Sequence, residues 1–448
     1  MTQNTSNRAR KPARKINYQH TAKGLTSQSG VVPVIHFLQR LGFDEMCDQH
    51  VDFKRGANAR YSFSDSLFMT ITGMIAGASS LLKVVGVWSD QVLRQISGWT
   101  SVPDDSNLGR IFRQGSLKHV TQLETVNHYL RNIVWGRAIK SGALQVGHFY
   151  KTWIDVDSTV KTVFGYQEGT AKGFNSHKRG ARSFHPQVAF CSATKEILQA
   201  WLRTGSAYTS NGIVEFMKQL VVHLPAQMRI IFRGDSGYFV GDLLEWLESK
   251  GHGYLIKVKL KGLTSLLDQQ SWRAIPHCPG WQQCEFTYQC SSWSRGRRLV
   301  AVRRLKKEQE GRAQERLFTD PIYDYFCYVT TERLTPWQAH KSYGERATCE
   351  TWLDEAKNQM GMAHIKSGGF AASSLIFQCA VLAYNTIRWM ALLSDNDQLK
   401  RWEIQTVRTY LIRTAGKLLT GSKQLRLKVP EQHLHADPWK SWLKLSFI

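Results

Sequence analysis

The hydrophobic period of this chain changes at His148, and that change limits the folds open to it more than any other feature. Before it, apolar residues recur at helix spacing, as in Val34, Phe37, Leu38 and Leu41 and through Leu67–Leu82 and Leu117–Trp135. After it come short β-prone runs: Thr152–Val156, Val160–Phe164, Gln187–Cys191 and Ile197–Leu202. Met228–Phe232 then reads as a buried strand, Val240–Lys250 as a helix and Gly253–Lys259 as another strand. A strand–helix–strand unit commits this part of the chain to an α/β layer.

The pattern divides the chain into six segments. Residues 1–30 carry six Lys/Arg and no acid, which predicts a disordered basic arm that either lies on phosphates or is simply solvated. Residues 31–147 form a helical N-terminal domain, suited to reading DNA grooves or to packing alone. Within it, Val102–Asn107 has the chemistry of a turn whose Asp and Ser side chains cap the next helix. The first part of the α/β core spans 148–265 and the second 323–395. Between them, 266–322 reads as a β-rich insertion with a cationic face that includes Arg295, Arg297, Arg298, Arg303, Arg304, Lys306 and Lys307. Residues 396–448 form a basic C-terminal region, with a helix expected up to Gly421 and a strand-like Gln424–Val429.

With 59 Lys/Arg against 35 Asp/Glu, the formal charge is +24, so a polyanion is the expected partner, nucleic acid ahead of a membrane surface. The N-terminus has no apolar segment of a secretory signal, and Ser66–Leu82 and Ser374–Leu393 read as buried helices because polar residues interrupt both. A cytoplasmic protein without membrane contact is expected. Eight cysteines are scattered without a CxxC, consistent with reduced thiols. His277, Cys278, Cys284 and Cys290 cluster, but their gaps do not match common zinc spacings, and the structural reading is preferred.

Three acids stand where a phosphodiester-cleaving site would need them. Such chemistry needs a nucleophile and charge stabilisation on both attacking and leaving oxygens, which two divalent cations held by carboxylates supply. Asp157 follows the apolar run Trp153–Val156 and shares a strand face with Asp155; a turn-capping role is the alternative. Asp235 lies just past the carboxyl end of the buried strand, within Arg233-Gly234-Asp235-Ser236-Gly237, where an N-cap or turn role is again open. Thr335-Pro336 opens a long helix in which Tyr343, Arg346, Glu350 and Lys357 fall within about one-sixth of the circumference. A solvated ion-pair face centred on Arg346 and Glu350 is the bland account, and Asp354 is the nearest rival acid.

The set Tyr343-x2-Arg346-x3-Glu350-x6-Lys357 resembles the Tyr-Arg-Glu-Lys signature of DDE transposases in the insertion sequence 4 superfamily. Asp157-Ser158-Thr159 and Arg233-Gly234-Asp235-Ser236-Gly237-Tyr238 resemble the elements carrying that family's first two acids. The acids are 78 and then 115 residues apart, and the longer gap holds the β insertion. Val102–Phe112, Gly165–Gly169 and Glu350–Gly361 look like the insertion sequence 1380 branch, with Thr351 standing where that branch often has Asn. The resemblance spans roughly residues 31–430. It implies an RNase H-like mixed-sheet core in which Asp157, Asp235 and Glu350 are catalytic and hold two Mg²⁺, Mn²⁺ being able to substitute. It further implies that Arg346 and Lys357 contact DNA phosphates and that Tyr343 positions the strand. Element ends and target, both double-stranded DNA, would be partners, with a homodimer in the DNA complex and a bacterial, nucleoid-associated location. A hairpin intermediate with a flipped base on an insertion aromatic is common in that superfamily. Trp281 and Trp293 are available, and no motif fixes either. A structure-directed nuclease and a non-catalytic DNA-binding relative are the competing functions.

Overall fold

The structure is a computed structural model that describes residues 15–173, 175, 178–306, 323–362, 367–421 and 424–448, with backbone alone at His148 and Phe149. Residues 1–14 of the expected basic arm and 307–322 of the expected insertion, Lys307 among them, lie outside the described residues.

Nine strands form one large mixed sheet: β1 (Lys151–Ser158), β2 (Gln187–Cys191), β3 (Ile197–Trp201), β4 (Arg229–Gly234), β5 (Gly253–Lys257), β6 (Arg273–Ala274), β7 (Trp281–Tyr288), β8 (Arg297–Leu305) and β9 (Tyr323–Thr330). Their order is β6-β7-β8-β9-β5-β4-β1-β2-β3. β1, β4 and β5 run parallel; every other pairing is antiparallel. β4 is buried from Ile230 to Gly234, as expected of a parallel strand covered on both faces. Val160–Phe164, expected as a strand, contributes the short Lys161–Thr162 to a separate three-stranded sheet with Arg182–Phe184 and Ala171–Lys172.

The β-rich segment after residue 266 adds to the main sheet. β9 pairs with β5 through Tyr328↔Lys257 and with β8 through Leu299↔Val329, so β6–β8 extend the same sheet sideways. Two expectations are corrected at the chain ends. Gly416–Thr420, expected as helix, is a strand, and Leu25–Thr26, expected within the unstructured arm, pairs with its first residues. The cause is non-local. Ser29, fully buried, donates its hydroxyl to the Thr414 carbonyl at 2.8 Å, and the ladder continues antiparallel to Leu425–Lys428.

Helices cover 31–140, from Val31–Arg40 to the 24-residue Leu117–Lys140. Asp104 caps Asp105–Arg113 by accepting from the Asn107 N–H at 2.6 Å, as the turn chemistry predicts. Phe370–Leu393 is long and apolar enough to cross a membrane, yet here it packs against Leu117–Lys140, Phe63–Ala76 and β3 and is almost wholly buried. Its polar residues are used. The Asn385 side chain bonds both the N–H and the carbonyl of Ile197, at 2.8 Å each, and Gln378 bonds Glu124 at 2.7 Å. Glu196, fully buried, accepts from the Trp135 and Trp389 indoles at 2.6 Å and from Thr194 at 2.7 Å. Buried polar atoms matched in this way fix helix against sheet in one register. All eight cysteines are free thiols, and no metal-holding group of His, Cys, Asp or Glu occurs among the described residues, at Cys278, Cys284 and Cys290 or elsewhere.

Candidate active site

β1 and β4 lie side by side and parallel, with Asp155 opposite Arg233 and Val156 opposite Gly234. The next residues are Asp157 and Asp235, so two acids 78 positions apart emerge at the carboxyl ends of adjacent strands. Both keep a local turn role as well. Asp157 Oδ1 accepts from the Ser158 N–H at 2.8 Å, and Asp235 Oδ1 accepts from the Gly237 N–H at 2.9 Å, capping the turn Ser236–Tyr238. The capping reading and the site reading are therefore compatible, because a carboxylate has a second oxygen.

The segment carrying the remaining residues departs from the expected single helix. Helix Pro336–Gly344 ends, helix Ala347–Asp354 begins after a short turn, and Glu355–Gln359 continues as a π-helical turn. In an unbroken α-helix the Ser342 carbonyl would accept from the Arg346 N–H. Here that carbonyl accepts from Arg233 Nη1, and the Arg346 N–H bonds the Tyr343 carbonyl at 3.0 Å. A side chain from the sheet thus breaks the helix. The four signature residues are therefore not carried by one helix: Tyr343 lies in the first, Arg346 in the turn, Glu350 in the second and Lys357 in the π-helical turn.

The break brings Arg346 to the acids. Its Nη2 lies 2.8 Å from Asp157 Oδ2 and its Nη1 3.2 Å from Glu350 Oε1, so one guanidinium spans acids from strand and helix. Burial is the largest single influence and works against the charge on Arg346, but Asp157, Tyr343, Cys349 and Asp235 together outweigh it and hold the guanidinium above its ordinary range. Burial pushes Asp157 up to about 6; Arg346 opposes this, while Asp235 and Glu350 add to it. Tyr343 is pushed up to about 12, first by burial and then by Asp235, Asp157 and Glu350, with Arg346 opposing. The acids are thus close enough to act on the same neighbours. Lys357 Nζ donates to Thr159 Oγ1 at 3.2 Å, two residues past Asp157. Asp354, the rival acid, is exposed and bonds Asn358.

Among the described residues, no three acids stand as a ready-made metal cluster; Arg346 lies between Asp157 and Glu350. The donor chemistry nevertheless fits a hard dication. All three groups are carboxylates, the hard oxygen donors that such a cation takes, and among the described residues Asp157 Oδ1 and Asp235 Oδ1 are engaged only by a single backbone N–H each.

A second layer was not singled out from the sequence. Asp155, fully buried, is paired with Arg233 through Nε to Oδ1 and Nη2 to Oδ2, the latter at 2.8 Å, and Ser192 donates to Asp155 at 2.7 Å. Arg233 also reaches Glu345 at 3.2 Å and lies 5.1 Å over the Trp153 ring. The signal was present: Asp155 and Arg233 each precede a site acid by two residues, and a mid-strand acid needs a partner. Trp281 packs among Phe326, Trp337 and His340, and these rings reach Tyr343 through Tyr328, 4.6 Å away. Trp293 is buried under Arg297.

The sequence profile described as Transposase DDE domain group 1 matches residues 9–445. No curated protein sequence matches the chain. Among solved structures, a cryo-EM piggyBac transposase synaptic complex with hairpin DNA is similar at 11% identity and a TM-score of 0.44, over 87% of this chain and 81% of that one.

Proposed function

This chain belongs to the transposase family with a group 1 DDE domain, and from that premise we propose that it excises and inserts DNA by cut-and-paste transposition. Asp157, Asp235 and Glu350 are the catalytic acids in this reading and would together hold two Mg²⁺, or Mn²⁺ in their place. The observation that carries it is the Arg346 bridge from Asp157 to Glu350, which links acids far apart in sequence. The strand order β3-β2-β1-β4-β5 supports an RNase H-like core, with ligands at the carboxyl ends of the parallel strands. The motifs further support placement in the insertion sequence 4 superfamily, close to its 1380 branch.

Bound divalent cations supply a metal-activated nucleophile and neutralise charge on the phosphodiester. The chain's own groups do the rest. Arg346 and Lys357 bring cationic N–H donors beside the acids and hold the phosphates of the cut strand. Tyr343, held against Tyr328, stays protonated near neutral pH and orients that strand through its hydroxyl. The helices of 31–147 contact the element's terminal repeats, and two copies hold two ends in the DNA complex.

A strand-transfer assay tests this function. With Mg²⁺, duplexes bearing the element's ends should be cut and joined to target DNA, and scrambled ends should not. Cutting without sequence preference and without joining would instead identify a structure-directed nuclease.

A further inference from the structure

The small sheet inserted just after Asp157 is not used by the reaction described above. Its strands, Lys161–Thr162, Ala171–Lys172 and Arg182–Phe184, hold up a loop that ends in exposed rings. Tyr166 is 92% exposed, the highest value for a large apolar side chain among the described residues, and Phe164 is 73% exposed. Each ring carries a cation on one side. Lys178 Nζ stands 5.0 Å from the Phe164 centroid, and the Arg182 guanidinium stands 5.4 Å from that of Tyr166. Arg182 is itself held by Thr170, with Nε to Oγ1 at 3.0 Å.

This sheet is tied to the acids on two sides. The loop 204–211 lies on it so closely that a Cβ at Gly205 would come within 2.0 Å of the Ser183 carbonyl and 2.5 Å of the Ala171 carbonyl. The same loop reaches the site, where Thr209 Oγ1 is 3.2 Å from Ser158 Oγ, beside Asp157. On the other side Glu168 anchors the tip, its N–H bonding the Gly368 carbonyl and its carboxylate accepting from the Phe370 N–H, each at 3.0 Å. The rings are therefore presented on a braced support.

Between residues 161 and 184 there are five Lys/Arg and one acid, and that acid, Glu168, is engaged in the anchor. Among the described residues of this stretch, the exposed rings are interleaved with cations, a composition that suits a polyanion better than an apolar protein face. A nucleic-acid strand meets both of its requirements, cations for phosphates and ring faces for bases. Bases in a duplex already stack on each other, so only an unpaired stretch can use the rings.

We propose that Phe164 and Tyr166, backed by Lys178 and Arg182, form a stacking platform for single-stranded DNA beside the catalytic acids. The inference rests on the transposase reading for its partner and names which part of the DNA this surface holds. Unpaired nucleotides freed near the cut would lie on the rings, with their phosphates along Lys178 and the neighbouring Arg179.

The test uses the full-length protein without divalent metal, a fluorescein-labelled oligothymidylate and a blunt duplex of equal length. Tyr166→Ala should weaken oligothymidylate binding about tenfold, as should Phe164→Ala, with duplex binding within about twofold of the parent. Lys178→Gln should lower the salt dependence of oligothymidylate binding by about 0.7 in log–log slope, and Tyr166→Ala should leave that slope unchanged. Unchanged oligothymidylate affinity in both ring variants, or equal losses for the two DNAs, would overturn the proposal. Glu350→Gln serves as the separator. It should bind oligothymidylate like the parent, so metal-dependent cutting by that variant would refute the catalytic assignment and leave the platform standing.

Discussion

Glu350→Gln is expected to remove Mg²⁺-dependent DNA cleavage, by at least about 10²–10³-fold, the loss typical when one preorganised group at a charged transition state is deleted. The protein should otherwise be intact. The Glu350 side chain is 65% exposed, and glutamine keeps its length and an oxygen to accept from Arg346 Nη1. Surface changes of this kind move stability by about 0.5 kcal/mol or less. DNA affinity measured without metal should stay within about twofold. The matched control is Asp354→Asn, one helical turn further on and bonded to Asn358, which should cut like the parent. A Glu350→Gln protein that still cuts, or an Asp354→Asn protein that does not, would move the third acid elsewhere.

Arg233→Met is expected to be the most destabilising of the changes considered, at about 3–5 kcal/mol, because it leaves the Asp155 carboxylate buried and unpaired. The loss should appear as a lower unfolding midpoint in urea. Adding Asp155→Leu removes the orphaned charge, and apolar replacement of a whole buried pair is often neutral or stabilising, so the double variant should regain most of the stability. Cleavage should not return with it. Arg233 also takes the Ser342 carbonyl and so sets the break that brings Arg346 to Asp157, and methionine cannot make that bond. Cleavage in the double variant should remain about 10–100-fold low, the size of loss that follows removal of outer hydrogen-bonding partners of a metal site, here acting through the position of Arg346. Recovery of both stability and cleavage would reduce Arg233 to a packing role.

The sequence revealed those parts of the fold that depend on neighbours along the chain. The period change at His148, the Asp104 cap, the buried helix Phe370–Leu393 and β4 followed by Asp235 are all local patterns. Strand ends and a spaced motif pick out Asp157, Asp235 and Glu350 as candidates, and the structure sets the first two on adjacent strands and links Glu350 to Asp157 through Arg346. Contacts between distant residues were not legible. No helical pattern around Pro336–Asp354 announces a break, because its cause is a side chain more than 100 residues earlier. Gly416–Thr420 becomes a strand because Leu25–Thr26 pairs with it, and the β-rich segment joins the main sheet because β9 has edges for both β5 and β8. Period-2 patterns show that a strand exists and leave its partner open.

Anomalous diffraction from crystals grown with Mn²⁺ would locate the metal directly. The account predicts a peak about 2.0–2.3 Å from carboxylate oxygens of Asp157 and Asp235, with Glu350 turned to the same site and a second peak roughly 4 Å away once a DNA strand is bound. Mn²⁺ bound elsewhere, or no peak while Arg346 still bridges Asp157 and Glu350 at millimolar metal, would contradict it.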